Sequence, residues 1–331
     1  MSSSTTGGNA IEIESLRKVF SNDVVAVDGI DLEVAGDEML GFLGPNGAGK
    51  STTTRILTTL LKPTAGRARV AGLDVTERAA DVRTVIGVAL QEAGMDALST
   101  GREMLTLQAH LHGFSSDEAH RRAGEMLEIV GLSDAADRRI ATYSGGMKRR
   151  LDLGHALVHS PSVLFLDEPT TGLDPASRQA IWDEVRRLNH DEGIAVFLTT
   201  QYLEEADQLA HRVAIIDHGR IVADGTPDEL KASIGTDVVT VAVPAERLED
   251  ARSTLSSLAG LKEMQVDRTG LTLFVSDGSG AVAGAIRILD DASVPVGAIS
   301  VSRPTLDEVF LRATGSRLEG ADAPAAEEKA S

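Results

Sequence analysis

From Ile11 onward apolar and polar positions alternate (IEIESLRKVF), the two-residue period of a strand with one buried face. A second strand is expected around 31–34, and a third, MLGFLG, runs into a glycine-rich turn that starts at Gly44. After the turn, STTTRILTTLL has helical spacing and is stopped by Lys62-Pro63. Residues from about 95 to about 160 lack strand signals and read as several helices with a break at Gly131. SVLFLDEP is different: an unbroken apolar run closed by acids, as in a parallel strand covered on both faces. IAVFLTTQ and RVAIIDHGRIVADG read as further strands of that sheet, separated by helices.

A second pattern begins near Thr236. VVTVAV reads as a strand, AERLEDARSTLSSL as an amphipathic helix, and KEMQVDR and LTLFVS as a hairpin around Thr269-Gly270. AVAGAIRILDDA is a second helix, AISVSRP a last strand and TLDEVFLRATG a closing helix. The order β-α-β-β-α-β is the ferredoxin-like arrangement. The expected organisation is a disordered start at 1–8, an α/β domain over 9–235 and a helical subdomain at about 93–160. A small α+β domain follows at 236–315, then a disordered acidic tail at 316–331.

Composition narrows the chemistry. The 331 residues suffice for about two domains, and 42% hydrophobic content excludes global disorder. The absence of cysteine removes disulfides, thiolate metal sites and a cysteine nucleophile. A net charge of -18 argues against nonspecific binding to nucleic acid or anionic lipid. That acidity fits either a surface hydrated for a high-salt cytosol or a carboxylate-bearing tail, GADAPAAEEKAS. The opening MSSSTTGGNA has neither a basic nor an apolar stretch, so no signal peptide is expected. No apolar run approaches the roughly 18–20 residues that cross a bilayer.

Gly44-Pro45-Asn46-Gly47-Ala48-Gly49-Lys50-Ser51 matches G-x-x-x-x-G-K-[ST], between a strand and a helix. Its glycines let backbone N–H groups converge on phosphate oxygens at a helix N-terminus. Lys50 is placed to reach the β- and γ-phosphates and Ser51 to ligate Mg²⁺. Asp167 and Glu168 end the buried run 163–166, at the sheet edge where ligands bind. There Asp167 suits Mg²⁺ and Glu168 suits polarising an attacking water; a solvated acidic turn is the bland alternative. Tyr143-Ser144-Gly145-Gly146-Met147 then opens a helix, where Ser144 and the Gly145 and Gly146 amides can bind a phosphate presented from outside, although an S-G-G alone is a common loop.

Phosphate loop, S-G-G turn and Asp-Glu strand, in this order, resemble the ATP-binding-cassette (ABC) ATPases, whose signature has the form L-S-G-G-Q. TTQYLEEADQLAHRVAIIDHGRIVADGT and TLDEVFLRATG narrow the resemblance to the daunorubicin/doxorubicin-resistance (DrrA-like) exporter ATPases, over about 11–315. The fold implied is a P-loop NTPase domain of ABC type with a helical subdomain, plus the ferredoxin-like unit. The resemblance implies ATP with Mg²⁺, hydrolysis, and a head-to-tail homodimer in which Ser144 completes the partner's ATP site. It also implies a separate membrane permease exporting a hydrophobic drug or lipid, with this subunit on the cytoplasmic face of the membrane.

Other positions take roles from the same resemblance. Phe20 stands where the family stacks an aromatic on adenine; packing in the first strand is the alternative. Gln91 matches the Q-loop glutamine that touches Mg²⁺ or water, Thr52 follows the phosphate loop, and Asp174 lies in the segment that crosses the dimer interface. Asp174 also reads as a helix N-cap ahead of Pro175. One position departs: Gln201 occupies the place of a histidine that contacts the γ-phosphate. Gln201 donates a hydrogen bond but carries no proton or charge, which leaves Glu168 as the water-activating group.

The remaining polar clusters read as surface. His110, His112 and His120 lie in a polar helical stretch with no framing carboxylates, and no metal is expected there. Arg138, Arg139, Lys148, Arg149 and Arg150 read as a solvated helix face. The rival class is a soluble ABC-type ATPase acting on nucleic acid or ribosomes. No long coiled-coil insertion and no second cassette support it, and the acidity opposes it. A simple P-loop kinase leaves the signature unexplained.

Overall fold

The computed structural model describes residues 8–89, 94–234, 237–267, 270–302 and 305–315. The chain divides into two compact units, Met1–Asp224 and Gly225–Ser331. The expected ends at 1–8 and 316–331 lie outside the described residues, Gly8 excepted.

The first unit opens with β1 (Asn9–Val19), β2 (Val25–Ala35), β3 (Met39–Leu43) and α1 (Lys50–Leu57). Next come β4 (Ala65–Val70), β5 (Leu73–Asp74), α2 (Ala79–Val85) and β6 (Ile86–Ala89), a stretch whose strands the apolar pattern did not disclose. The helical insert holds α3 (Gly101–Leu111), α4 (Ser116–Ile129) and α5 (Gly145–Leu157). Then β7 (Val163–Asp167), α6 (Pro175–Glu192), β8 (Ala195–Thr200), α7 (Leu203–Leu209), β9 (Arg212–Asp217) and β10 (Arg220–Gly225) follow.

Two sheets result. An antiparallel sheet has the order β2-β1-β4-β5, and a six-stranded sheet the order β10-β9-β3-β8-β7-β6. In the second, β9, β3, β8, β7 and β6 run parallel. Their apolar runs follow from burial on both faces, and the strand period of two splits them cleanly. Leu164, Leu166, Val196 and Leu198 face the helical insert, with Leu105, Met126, Leu151 and Leu153. Val163, Phe165, Ala195 and Phe197 face the opposite way, with Phe42 and Ile56. Phe42, Phe165 and Phe197 form a tilted aromatic row at centroid spacings of 5.1 and 5.6 Å. Capping fixes the insert: Thr100 and Glu103 make a reciprocal capping box at the start of α3.

The second unit comprises α8 (Pro227–Ile234), β11 (Asp237–Ala242), α9 (Leu248–Leu255), β12 (Leu261–Val266), β13 (Gly270–Val275), α10 (Gly278–Asp291), β14 (Ala298–Ser302) and α11 (Leu306–Thr314). Its antiparallel sheet has the order β12-β13-β11-β14, the ferredoxin-like topology. Val239, Val241, Leu271, Leu273 and Val275 pack against Ala251, Leu255, Ala281, Ala285 and Leu289 of α9 and α10. The unit starts at Gly225, ahead of the 235/236 boundary read from the sequence. The physical reason is α8, which packs against the closing helix α11 and buries Leu230 and Ile234.

Candidate functional site

The phosphate loop joins the buried β3 to α1. Its shape depends on glycine at two points. A Cβ at Gly44 would stand 2.3 Å from the Ile216 carbonyl oxygen. Gly49 has φ +116, and a Cβ there would stand 2.4 Å from the Ala26 oxygen. The loop is stitched to the adjoining strands by Gly219 N–H donating to Ala48 O (2.9 Å) and Asp28 N–H to Gly219 O (2.9 Å). Lys50 is 6% exposed; its Nζ donates to Gly44 O (2.5 Å) and Pro45 O (3.1 Å), folded back over the loop. Burial pulls the Lys50 ammonium below its ordinary range, and the charges of Glu168 and Asp167 oppose that pull. Ser51 is exposed, Thr52 half-buried, and Asn46 and Gly47 form the exposed rim.

β7 delivers the two acids to this loop. Asp167 is its last residue and accepts a hydrogen bond from the Thr199 hydroxyl of β8. The strand then ends abruptly, because Glu168 takes φ +50, a left-handed backbone that a side-chain-bearing residue adopts at a cost. This turn lets adjacent residues of an alternating strand serve one site. The Glu168 amide donates to Thr199 O (2.9 Å), and its carboxylate accepts from Gln201 Nε2 and, at 3.4 Å, from the Thr171 hydroxyl. The glutamine in the histidine's place is thus bonded to the acid beside it.

The S-G-G turn opens α5 as its sequence suggests. Ser144 is the N-cap and accepts from Met147 N–H at 3.2 Å; Ser144 and Gly145 are exposed. The first-turn amides of a helix have no intrahelical acceptor, so they remain available to an anion. Gly146 is buried where a Cβ would stand 2.6 Å from Ser177 Oγ on α6. Asp174 caps α6, accepting from Ser177 N–H (3.0 Å) and Ser177 Oγ (2.6 Å). Those bonds hold its carboxyl below the usual range.

Phe20 follows β1 in a tight turn, 39% exposed, with Lys18 Nζ 5.4 Å from its ring centre. It is not a core residue. Gln91 lies outside the described residues.

Two residues of the site were not foreseen. The sequence places Arg149 with its neighbours on a solvated face, yet its side chain is 14% exposed and paired with Asp152 at 3.0 Å. Burial lowers Arg149 while Asp152, Asp167, Glu205 and Glu168 support its charge, and burial pushes the Asp152 carboxyl up to about 6 against the pull of Arg149. Glu205, on α7 just after Gln201, is 0% exposed. Its Oε1 accepts from Trp182 Nε1 (2.8 Å) and the Thr170 hydroxyl (2.9 Å), and burial raises its pKa. First-turn acids normally read as solvated, helix-dipole residues. The available signal was the group of threonines near strand ends, Thr199 and Thr200 closing β8 and Thr170 in the turn after β7.

Residues 27–171 match the family model described as ABC transporter, and 225–314 match that of the ATP-binding protein DrrA1-3-like C-terminal domain. The daunorubicin/doxorubicin resistance ATP-binding protein DrrA of Streptomyces peucetius is 48% identical over 308 residues, 92% of each chain. The chain belongs to the DrrA-like ABC transporter ATP-binding proteins. The Nod factor export ATP-binding protein I of Paraburkholderia xenovorans is 40% identical over 314 residues, 94% of this chain and 98% of that one. Among solved structures, the ATP-binding cassette MJ0796, a dimer in a post-hydrolysis state bound to ADP and Pi, is similar with a TM-score of 0.61. That likeness, at 24% identity over 65% of this chain and 98% of the other, speaks for the fold. This DrrA-like protein is accordingly a transporter ATPase that binds nucleotide. Among the described residues no helix is long and apolar enough to cross a membrane.

Proposed function

We propose that this DrrA-like subunit hydrolyses ATP at sites shared by two copies and thereby powers export of a hydrophobic drug or lipid through a separate permease. The carrying observation is an exposed helix N-terminus at Ser144–Gly145, the kind of group that binds anions, on a chain with a single phosphate loop. In a head-to-tail pair each Ser144 serves the partner's nucleotide. Closure then follows from differential binding, since the nucleotide touches both copies only when they meet. The subunit works at the cytoplasmic face of the membrane, held there by the permease.

Backbone amides of Gly44–Ala48 and Gly49, with Lys50 and Thr52, take the phosphates, and Phe20 takes the adenine face. The Ser51 hydroxyl and Asp167 carboxylate are hard oxygen donors that fit Mg²⁺, with Gln91 as a third ligand. Bound there, Mg²⁺ would neutralise phosphate charge as the terminal phosphoryl leaves. Glu168 accepts the proton of the attacking water, and Gln201, bonded to its carboxylate, orients it. Asp174 lies at the contact between copies.

Glu168→Gln keeps the shape and removes the base. It is expected to lower turnover by about a hundredfold or more while ATP binding survives, and to trap an ATP-bound dimer in size-exclusion chromatography. Near-normal hydrolysis, or a trapped form that stays monomeric, overturns the reading. Co-purification from membranes with a permease made from a neighbouring gene would support the export arm; fractionation wholly with ribosomes or DNA refutes that arm.

A further inference from the structure

Lys148, Arg149 and Arg150 are consecutive, yet the fold gives each a different task. Lys148 is exposed. Arg150 reaches back to Val130 O (3.3 Å) and Gly131 O (3.1 Å), closing the end of α4. Arg149 points the other way, into the segment that follows β7, and all three of its nitrogens are engaged. Nε donates to Pro169 O at 2.8 Å, Nη2 to Asp167 O at 2.9 Å, and Nη1 to Asp152 Oδ2 at 3.0 Å.

The two carbonyls belong to the residues on either side of Glu168. That acid is the one with the left-handed backbone, at φ +50. A planar guanidinium with a fixed fork of donors can bracket a peptide in this way; a single ammonium cannot. Asp152, one turn along α5 and only 6% exposed at its side chain, holds the fork in plane. A strained backbone persists only where its surroundings over-determine it, and the Arg149–Asp152 pair supplies that determination from the helix that Ser144 opens.

We propose that Arg149 is a positioning residue that fixes the Glu168 backbone to α5, with Asp152 orienting it. The proposal rests on the assignment of Glu168 as the water-activating base. Its consequence is mechanical: the helix whose N-terminus meets the partner's nucleotide also sets the aim of the base in its own site. Movement of α5 as the copies close is passed to Glu168 through this side chain.

Arg149→Lys in the full-length chain keeps the charge beside Asp152 but cannot bracket both carbonyls. Steady-state ATPase assays should show kcat down about tenfold or more with KM for ATP within about threefold. Single-turnover rates should show non-additivity: adding Arg149→Lys to Glu168→Gln should leave the residual rate unchanged, because the aimed group is already gone. Hydrolysis by Arg149→Lys within about twofold of the parent overturns the proposal. So does an equal fractional loss with and without the Glu168 carboxylate, which is the mark of general structural damage. Should Arg149→Lys fail to fold, Asp152→Asn, which frees one arm of the fork, is read in the same two assays. If Glu168→Gln itself remains active, the base assignment fails; if it is inactive while both fork variants remain active, only the positioning role fails.

Discussion

Truncating Glu205 to alanine removes the acceptor shared by Trp182 Nε1 and the Thr170 hydroxyl, both inside the first unit. Each buried donor left without an acceptor costs about 1–3 kcal/mol. Part of this is offset, because the lost carboxyl was itself held above its ordinary pKa by burial. The net expectation is about 2–4 kcal/mol, a large share of the roughly 5–15 kcal/mol that holds a domain together. Glu205→Gln is the control. Its amide oxygen keeps both bonds, and its nitrogen takes the place of Oε2, which has no hydrogen-bond partner within ordinary distance among the described residues. The Thr200 hydroxyl also favours the charged form of Glu205, so it lies near the position the new amide nitrogen would take. That variant should stay within about 1 kcal/mol of the parent. The assay is urea unfolding followed by the fluorescence of Trp182, the single tryptophan of the chain and a direct partner of Glu205. With a slope of about 2–3 kcal/mol per molar urea, alanine should lower the midpoint by about 1 M and glutamine by less than about 0.4 M. Equal displacement by both variants, or an unmoved midpoint for alanine, would refute the assignment of Glu205 as a buried acceptor.

Gly49→Ala places a methyl 2.4 Å from the Ala26 carbonyl oxygen at φ +116, so it should cost about 2–4 kcal/mol and abolish binding of a fluorescent ATP analogue. Retained nucleotide affinity would mean the loop does not need this backbone. Acid sensitivity is the other expectation: burial pulls His159 from 6.5 down to about 4, and its Nε2, 2.8 Å from Ile86 O, donates in the neutral form. Between pH 6.5 and 4 the unfolded chain takes up this proton and the folded one does not, so stability falls on acidification across that window. Asp152, raised to about 6, contributes the opposite slope; His112, stacked on His159 at 3.8 Å, and His155 are likewise held low by burial, and their charges, with that of Arg122, also disfavour the charged His159 ring. His159→Gln should therefore flatten the loss of unfolding midpoint between pH 7 and pH 4.5, and an unchanged slope would count against a neutral His159.

The parallel strands were legible because burial on both faces leaves unbroken apolar runs, as in 163–166 and 195–198. The helix openings at Lys50 and Gly145 were legible because glycines and hydroxyls there have few other uses. The stretch 63–89 was not. Its strands β4 and β5 are short or largely exposed, so their alternation is weak, and β6 contributes only four residues. Arg149 and Glu205 escaped for a different reason. A charged residue in a polar run reads as solvated unless its partners are known, and those partners lie at Asp167, Pro169, Trp182 and Thr170, contacts set by tertiary packing. Glu168 was recognised by its type and neighbours, but its left-handed backbone leaves no trace in composition.

Gly146 has no side chain, and the room it leaves is filled by Ser177, itself tethered to Asp174. The opening turns of α5 and α6 therefore fit together like a dovetail, with Ser177 in the space that a side chain at position 146 would take. The contact from the Ser144 end thus runs through Ser177 to the carboxylate that caps α6. In the proposed head-to-tail pair, a second copy would then meet the Ser144 and Asp174 edges as one joined surface.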